Sequence, residues 1–527
     1  MPTMDAPVIV VGAGPVGMAT ALGLAHHGVA SVVIERREEP TVGSKAFGVW
    51  GRTLEILDSW GLSAPLLAAG DPRDAIAPVA VETGRPIFTV DFTALSGESA
   101  MPGLLLIPQS STEALLREAV AAEPAITLVH GEVTGATPDA DGVTVHVASG
   151  GGSPGRDLRA SYVVGADGSR SAVRESQGSR HRGSIIDVDL LVFDIELAQD
   201  EDLAPVRMVS RRPGLLAGLR FSAGRWRVLA SREPLTSAST TSTDGPPPRR
   251  PDRPLEELET LAHGLFGERD LRVVWQSQST LYQQRVPHFR LGGRILLAGD
   301  SAHLVSPAGG QGMNQGIQDA ECLAWSLAAA IAAESRGDGA AVEAMLDGYA
   351  GEREHAADVV ARRARMNSML EFATPPLLRP LGFLAMRVAT RMAWFTRMLT
   401  RRLSMRDLRY VARASRRLAG RSRLGWGAVG RRVPNVVLAD GRRLFAPIAG
   451  RAAVVAVACD PPPVPDGVVA VRVERAPRGT RLRRGSVAVV RPDRHIGAVL
   501  RAPGATATAR ALAATAGVVD SGTEPAR

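Results

Sequence analysis

Asp300 lies between an apolar run, Ile295–Ala298, and the glycines Gly309, Gly310 and Gly312. The acid supplies an acceptor for ligand hydroxyls, and glycines without a Cβ let backbone approach a flat ligand closely. The spacing predicts a buried strand ending at Gly299-Asp300, a turn through Pro307 to Gly312, and a helix from about Met313-Asn314. The first amides of such a helix lack intrahelical partners and sit at the positive end of its dipole. They stabilise a nearby negative charge by roughly 0.3–2 kcal/mol. A reduced flavin carries such a charge near N1 and O2. A purely structural strand, turn and helix is the competing reading of this stretch taken alone.

Two more acid-and-glycine turns repeat the logic. The strand-length run Val8–Val11 is followed by Gly12-Ala13-Gly14-Pro15-Val16-Gly17 and a helical stretch, Val16–His27, that stops at Gly28. These glycines permit a tight turn, close approach of backbone to a pyrophosphate and helix-on-strand packing, and the helix N-terminus faces the phosphates. A second strand, Ser31–Ile34, ends at Glu35, whose carboxylate suits the ribose hydroxyls of FAD or NAD and disfavours a 2′-phosphate. Later, Tyr162–Gly165 leads into Asp167-Gly168-Ser169-Arg170, where the acid binds a ligand hydroxyl, orders water on a pyrophosphate, or simply makes an Asp-Gly turn.

Between these turns, Lys45 and Arg52 are either cations for the pyrophosphate or ribityl chain or solvated loop charges. Gln109 precedes a helix expected over Thr112–Ala122 with Ser110 or Ser111 as its cap, and is either a cap partner or a flavin ligand. His303 reads as a packing residue, and no catalytic base is assigned. Strands are expected at Thr127–His130, Val133–Ala136 and Val143–Val147. A β-rich insert follows, with strands at Asp187–Leu197, Leu215–Phe221 and Trp226–Ser231, a mobile loop or lid over Ser237–Pro254, and a helix at Leu255–Phe266. Such a sheet is where a substrate pocket would lie, and the arginine-rich region Arg220–Arg227 suits a large phenolate.

Helices at Gln315–Glu334 and Ala341–Ser368 come next, then arginine-rich amphipathic helices in Leu378–Arg432, read as packing on the domain rather than on a membrane surface. Strands at Asn435–Leu438, Ala453–Ala458, Val468–Val473 and Ser486–Val490 form a small α/β domain, and residues 503–527 are expected to fray. A chain of 527 residues calls for about three domains. Hydrophobic content of 45% and charged content of 22% are those of a globular protein. The net charge of +8 comes from arginines spread along the chain, which does not favour nucleic acid. Two distant cysteines, Cys322 and Cys459, exclude a disulfide framework and a four-cysteine zinc site, and no metal is expected. There is no signal-peptide pattern and no run of apolar residues long enough to span a membrane, so a cytoplasmic location is expected.

Together, GAGPVG with Glu35, GADGSR and AGDSAH…GGQGMN resemble the group A FAD-dependent aromatic hydroxylases, in the phenol hydroxylase and polyketide hydroxylase branch of the flavoprotein monooxygenases. The resemblance implies an α/β fold with a Rossmann-like FAD-binding domain in two parts, 1–180 and 286–430, an inserted β-sheet substrate domain at 181–285, and a thioredoxin-like C-terminal domain at 431–527. The VRPD…V pattern of that last domain stands at Val490–Val499, and the lack of a CxxC makes it structural. The implied FAD contacts are Gly12, Gly14, Pro15, Val16, Gly17, Glu35, Arg36, Lys45, Gln109, Val133, Asp167, Asp300, Pro307, Gly310, Gly312, Met313 and Asn314. Lys45 departs from the arginine usual in the family and loses the bidentate fork.

The implied activity is reduction of the flavin by NADPH or NADH, addition of O₂ to give a C4a-hydroperoxide, and hydroxylation of an aromatic, polycyclic polyketide by a monomer or homodimer. Baeyer-Villiger or ring-rearranging oxygenation is the first alternative, and a non-catalytic flavin-fold binding protein the second. A halogenase is disfavoured because WxWxIP is missing.

Overall fold

The computed structural model describes residues 6–39, 46–148, 155–209, 214–231, 240–242, 251–305, 309–372, 379–411, 427–501 and 503–518. Its central sheet is parallel where the chemistry-bearing turns leave it. The strands Ala6–Val11, Ser31–Glu35, Ile126–His130, Arg156–Gly165 and Ile295–Leu297 share it. Their Val- and Ile-rich runs suit strands buried on both faces: Val8, Ile9, Val10 and Val163 are fully buried. Val11 pairs with Ile34 on one side and Gly165 on the other, and Gly165 pairs with Leu297. These four residues form one row across the sheet, so the turns that follow them leave from the same edge.

Two helices back this sheet, Pro15–His26 and Gly312–Glu334, with Gly23 of the first against Ala324 of the second. The helix Gly339–Phe372 lies against the latter.

A second sheet is antiparallel over most of its extent. Its long strands Arg182–Leu197 and Leu271–Arg285 pair along their length, and Arg225–Ser231 and Leu216–Ser222 extend it. The helix Leu255–Phe266 covers one face, with Phe266 edge-on to the fully buried Trp226. Within the expected lid, Thr240–Ser242 forms a strand on 184–186; residues 243–250 lie outside those described.

The C-terminal sheet runs 469–473, 453–457, 486–490, 496–501, with the first pair parallel and the rest antiparallel. Three local expectations are corrected here. Asn435–Leu438 is reduced to a single bridge, Val437 to Arg443, because the chain turns back on itself at Leu438–Gly441. Ala505–Ala516 does not fray but forms a helix whose Ala511, Leu512 and Thr515 are buried. The helix at Gln109 starts earlier than expected: the Pro108 carbonyl takes the amides of Ser111 and Thr112, so Ser110 and Ser111 lie inside its first turn.

Buried charge joins this C-terminal unit to the rest. Arg491 meets Glu352 at 2.6 and 2.9 Å and Asp493 at 2.6 Å, and its guanidinium lies over Trp325. Arg494 donates to the Glu55 carbonyl at 3.0 Å. Glu55 itself accepts from Arg432 at 2.6 and 2.7 Å, Arg406 at 2.9 Å and Ser99 at 2.6 Å. Burial alone would raise the Glu55 carboxyl, but Arg432, Arg406 and Arg52 together pull it from its ordinary 4.5 down to about 2.

A depressed carboxylate stabilises the fold above its unfolded pKa and loses that contribution as pH falls through its folded one. Glu55 therefore contributes about 3 kcal/mol that disappears between about pH 4.5 and 2. Glu55→Gln is expected to be less stable at neutral pH and to show a flatter decline of urea midpoint over that acid range. An unchanged slope would mean that Glu55 carries no such linkage.

Candidate active site

The row of strand ends delivers the three turns to one cleft edge. Gly12 has φ +101°, a left-handed conformation that disfavours other residues, and a Cβ there would meet the Ala166 carbonyl oxygen at 2.6 Å and Asp167 Cα at 3.0 Å. The first two turns thus touch directly. Val16 packs against Gly299, where a Cβ would lie 2.9 Å from its Cγ2, which joins the first turn to the third. Pro15 opens the first helix at a position that needs no N–H. Glu35 accepts from the Ala13 amide at 2.7 Å and so reaches across the glycine turn. Beside it, Arg36 lies 3.7 Å from Glu132, and Val133 follows in the next strand with its side chain buried.

Asp167 accepts from Val173 N–H at 3.2 Å through Oδ2, while its buried Oδ1 has no partner among the described residues. Burial raises its carboxyl. Asp300 stands exposed on a single 3-10 turn, Gly299–Ser301. His303, three residues on, is buried, stacks on Phe289 and meets Asp319 at 2.5 Å, while Asp319 also takes Arg353 at 2.6 Å. Burial works against the Asp319 charge, yet Arg353 and His303 hold it below the ordinary range. These contacts fix the orientation of the His303 ring.

At the third turn the helix begins at Gly312, so Gly312, Met313 and Asn314 supply its first amides. Asn314 differs from a simple ligand contact. Its Oδ1 accepts from Trp50 N–H at 2.7 Å, and its Nδ2 donates to the carbonyls of Gly48 and Gly310 at 3.0 and 2.8 Å. Trp50 Nε1 donates to the Gly309 carbonyl at 3.0 Å. Gly310, at φ +61°, has the Phe47 ring where a Cβ would point, 2.9 Å away. Phe47 and Trp50 received no role from sequence; their signal was two aromatics flanking Gly48 in the segment that also carries Lys45. Gln109 follows the strand Leu104–Leu106, which pairs with Gly48–Trp50, and donates to Glu113 at 2.6 Å. Lys45, the only lysine in the chain, and Pro307 lie outside the described residues.

Two expectations about cations are corrected. Arg52 faces no cleft: it is buried, ion-paired to Glu321, and donates to the Asp493 carbonyl at 2.9 Å. Arg220–Arg227 offers no spare charge, because Arg220 lies 3.7 Å from Asp200, Trp226 Nε1 donates to Asp200 at 2.8 Å, and Arg227 is held by Asp194 at 2.7 and 2.8 Å. Arg227 nevertheless ties the second sheet to the segment before Gly48, donating to the Ala46 carbonyl at 2.8 Å with Trp275 beneath its guanidinium. A cleft of about 420 Å³ borders the third turn, lined by Arg182, Gln284, Arg285, His303, Val305 and Asp358 among others. Arg285 and Asp358 neutralise each other there at 2.6 Å.

FAD fits these residues. Cβ atoms at Gly14, Gly168 and Gly312 would meet nothing within 4 Å, which leaves three open backbone stretches along one edge, and the orphaned Asp167 oxygen supplies a buried acceptor beside them. A glycine turn, a buried acid turn and a helix start ready for an anion, set beside a second sheet, are the parts of a flavoprotein's cofactor site. A family model described as an FAD binding domain matches residues 5–364. The chain is 32% identical over 478 residues to the 12-dehydrotetracycline 5-monooxygenase/anhydrotetracycline 6-monooxygenase of Streptomyces rimosus subsp. rimosus, covering 86% of each chain. Among solved structures it resembles CabE, an aromatic hydroxylase from angucycline biosynthesis, with TM-score 0.74, 28% identity and coverage of 98% of this chain and 100% of that one. It also resembles the Diels-Alderase PyrE3 of pyrroindomycin biosynthesis, with TM-score 0.73, 25% identity and coverage of 97% and 99%. The chain belongs to the group A FAD-dependent aromatic hydroxylases and is an FAD-dependent monooxygenase.

Proposed function

We propose that the chain hydroxylates a polycyclic aromatic substrate of polyketide type, consuming NADPH or NADH and O₂. The observation that carries this reading is the row Ile34, Val11, Gly165 and Leu297, which sets all three turns on one edge. In this reading Gly12, Gly14, Pro15, Val16, Gly17, Glu35, Arg36 and Val133 hold the adenosine and pyrophosphate. Asp167, Gln109 and Asp300 hold the ribityl chain, Gly310, Gly312, Met313 and Asn314 border the ring system, and Lys45 and Pro307 complete the set. Bound FAD supplies the redox and oxygen chemistry.

The chain's own work is positioning, charge and dryness. First-turn amides from Gly312 onward hold negative charge at the ring edge. On the second sheet, Leu190, Val192, Leu215, Leu229 and Trp275 gather into an apolar cluster on one face. Arg227 ties the same sheet to Ala46, beside Phe47 and Gly310, and that face would seat a flat substrate and exclude water. The relatives named for tetracycline and angucycline chemistry support a multi-ring substrate. The units 1–180 with 286–430, 181–285 and 431–527 serve as FAD, substrate and thioredoxin-like domains, the last of them structural, in a cytoplasmic monomer or homodimer.

Purified holoenzyme given a polycyclic phenol in air is expected to oxidise NADPH or NADH faster than without it and to place one ¹⁸O₂ atom on a ring carbon as hydroxyl. Label in a ring ester would instead mark Baeyer-Villiger oxygenation. Full flavin loading without nicotinamide oxidation in the presence of such substrates would overturn the proposal. It would favour a role without oxygen transfer, a reading that the likeness to a Diels-Alderase keeps in view.

A further inference from the structure

The consecutive helices Arg379–Ala389 and Ala393–Leu403, joined by three residues, carry a run of exposed apolar side chains. Of the ten large apolar residues exposed among the described residues, six lie between positions 381 and 398: Leu381, Leu384, Val388, Met392, Trp394 and Met398. Leu381, Leu384 and Val388 follow helical spacing and form one stripe, while Trp394 and Met398 stand one turn apart. Trp394 is 65% exposed and Leu381 63%. Scattered exposed side chains need no explanation, but six within 18 consecutive residues do.

The second helix is firmly held: Thr396 Oγ1 donates to the Thr390 carbonyl at 2.7 Å, Arg401 donates to Glu98 at 2.9 Å, and Leu399 and Leu403 pack on the cluster around Trp50 and Phe92. The first helix projects from it, with its apolar stripe exposed.

Charge identifies the partner. Residues 372–406 hold seven arginines and no acidic residue. Arg387 and Arg391 are exposed on this segment and make no ion pair among the described residues. A second copy seated face to face would bring arginines onto arginines in a two-fold contact, which disfavours self-association there. Apolar stripes flanked by unpaired arginines are instead the pattern of helices that lie in the headgroup region of an anionic bilayer. No helix among the described residues is long and apolar enough to cross one. We propose that the helix pair Arg379–Leu403 docks the enzyme on an anionic phospholipid surface, with Trp394 and the Leu381–Val388 stripe in the interface and Arg387 and Arg391 on lipid headgroups. The proposal is independent of which aromatic compound is hydroxylated.

Flotation of the full-length, FAD-loaded protein with mixed phosphatidylcholine–phosphatidylglycerol vesicles tests it. The protein is expected to float with these vesicles and not with pure phosphatidylcholine, less so as salt rises. R387Q and R391Q should each lower the partition about fivefold. L384S and W394S should release the protein with flavin content unchanged, and the blue shift of tryptophan emission on vesicles should vanish in W394F. Failure to float with the phosphatidylglycerol vesicles overturns the proposal, as does equal binding by these variants. A concentration-dependent dimer that L384E dissociates, with Trp394 protected in it, would overturn it in favour of a second copy.

Discussion

Gly12→Val protein is expected to purify colourless. A side chain at this position must adopt φ near +101°, and its Cβ would stand 2.6 Å from the Ala166 carbonyl oxygen. The glycine turn and the Asp167 turn would have to separate, and backbone strain of this kind costs on the order of 1–3 kcal/mol before any ligand contact is lost. Adding the displaced pyrophosphate site, FAD affinity should fall at least about 100-fold, read by flavin absorbance of purified protein and by calorimetric titration. Gly14→Ala is the informative partner. Its Cβ would meet nothing within 4 Å among the described residues, so its urea midpoint should match the parent while its FAD affinity drops, because the open side is where the phosphates are proposed to pass. Full FAD affinity in Gly14→Ala would show that the cofactor does not follow this edge.

Arg491→Met is expected to lower stability by about 3–5 kcal/mol, seen as a shift of the urea midpoint without loss of expression at low temperature. The guanidinium is the charge partner that both Glu352 and Asp493 share, and all three are buried. Removing it leaves two carboxylates in a dry environment, a larger penalty than the pair's net worth. Arg491→Met combined with Glu352→Leu should recover part of the loss by removing one stranded charge. If the single variant unfolds at the parent's midpoint, the buried pairs do not hold the C-terminal unit to its neighbour.

Much of this could be seen in the chain before folding was considered. Each of the three turns announces itself within about twenty residues: an apolar run, an acid, glycines, then a helix start, all encoded locally at Val8–Glu35, Tyr162–Arg170 and Ile295–Asn314. Their meeting needs long-range pairing, of Val11 with Gly165 and of Gly165 with Leu297, but once the strands run parallel the turns that follow them must leave from one edge.

What could not be read depends on partners far apart in sequence. Arg52 looked like a loop cation, but its partner Glu321 lies 269 residues away and the Asp493 carbonyl 441. Nothing around Arg52 records either. The arginines near Trp226 looked available for a phenolate, and the acids that neutralise them, Asp194 and Asp200, stand on strand 182–197 or just after it. Ala505–Ala516 looked like a fraying tail because its composition is Ala and Thr; the sheet surface that receives Leu512 decides otherwise. The exposed stripe on Arg379–Leu403 had the periodicity of a helix that packs, and periodicity alone cannot say whether the other side of the contact belongs to the same molecule.

The clamp made by Asn314 has one more implication. Its single amide joins the backbone at Gly48, Trp50 and Gly310, so segments some 260 residues apart are stitched together ahead of any visitor to the cleft. Immobilising loose backbone would otherwise cost roughly 1–2 kcal/mol per residue at each encounter. Here that entropy is surrendered once, during folding, and every later turnover begins with a finished wall.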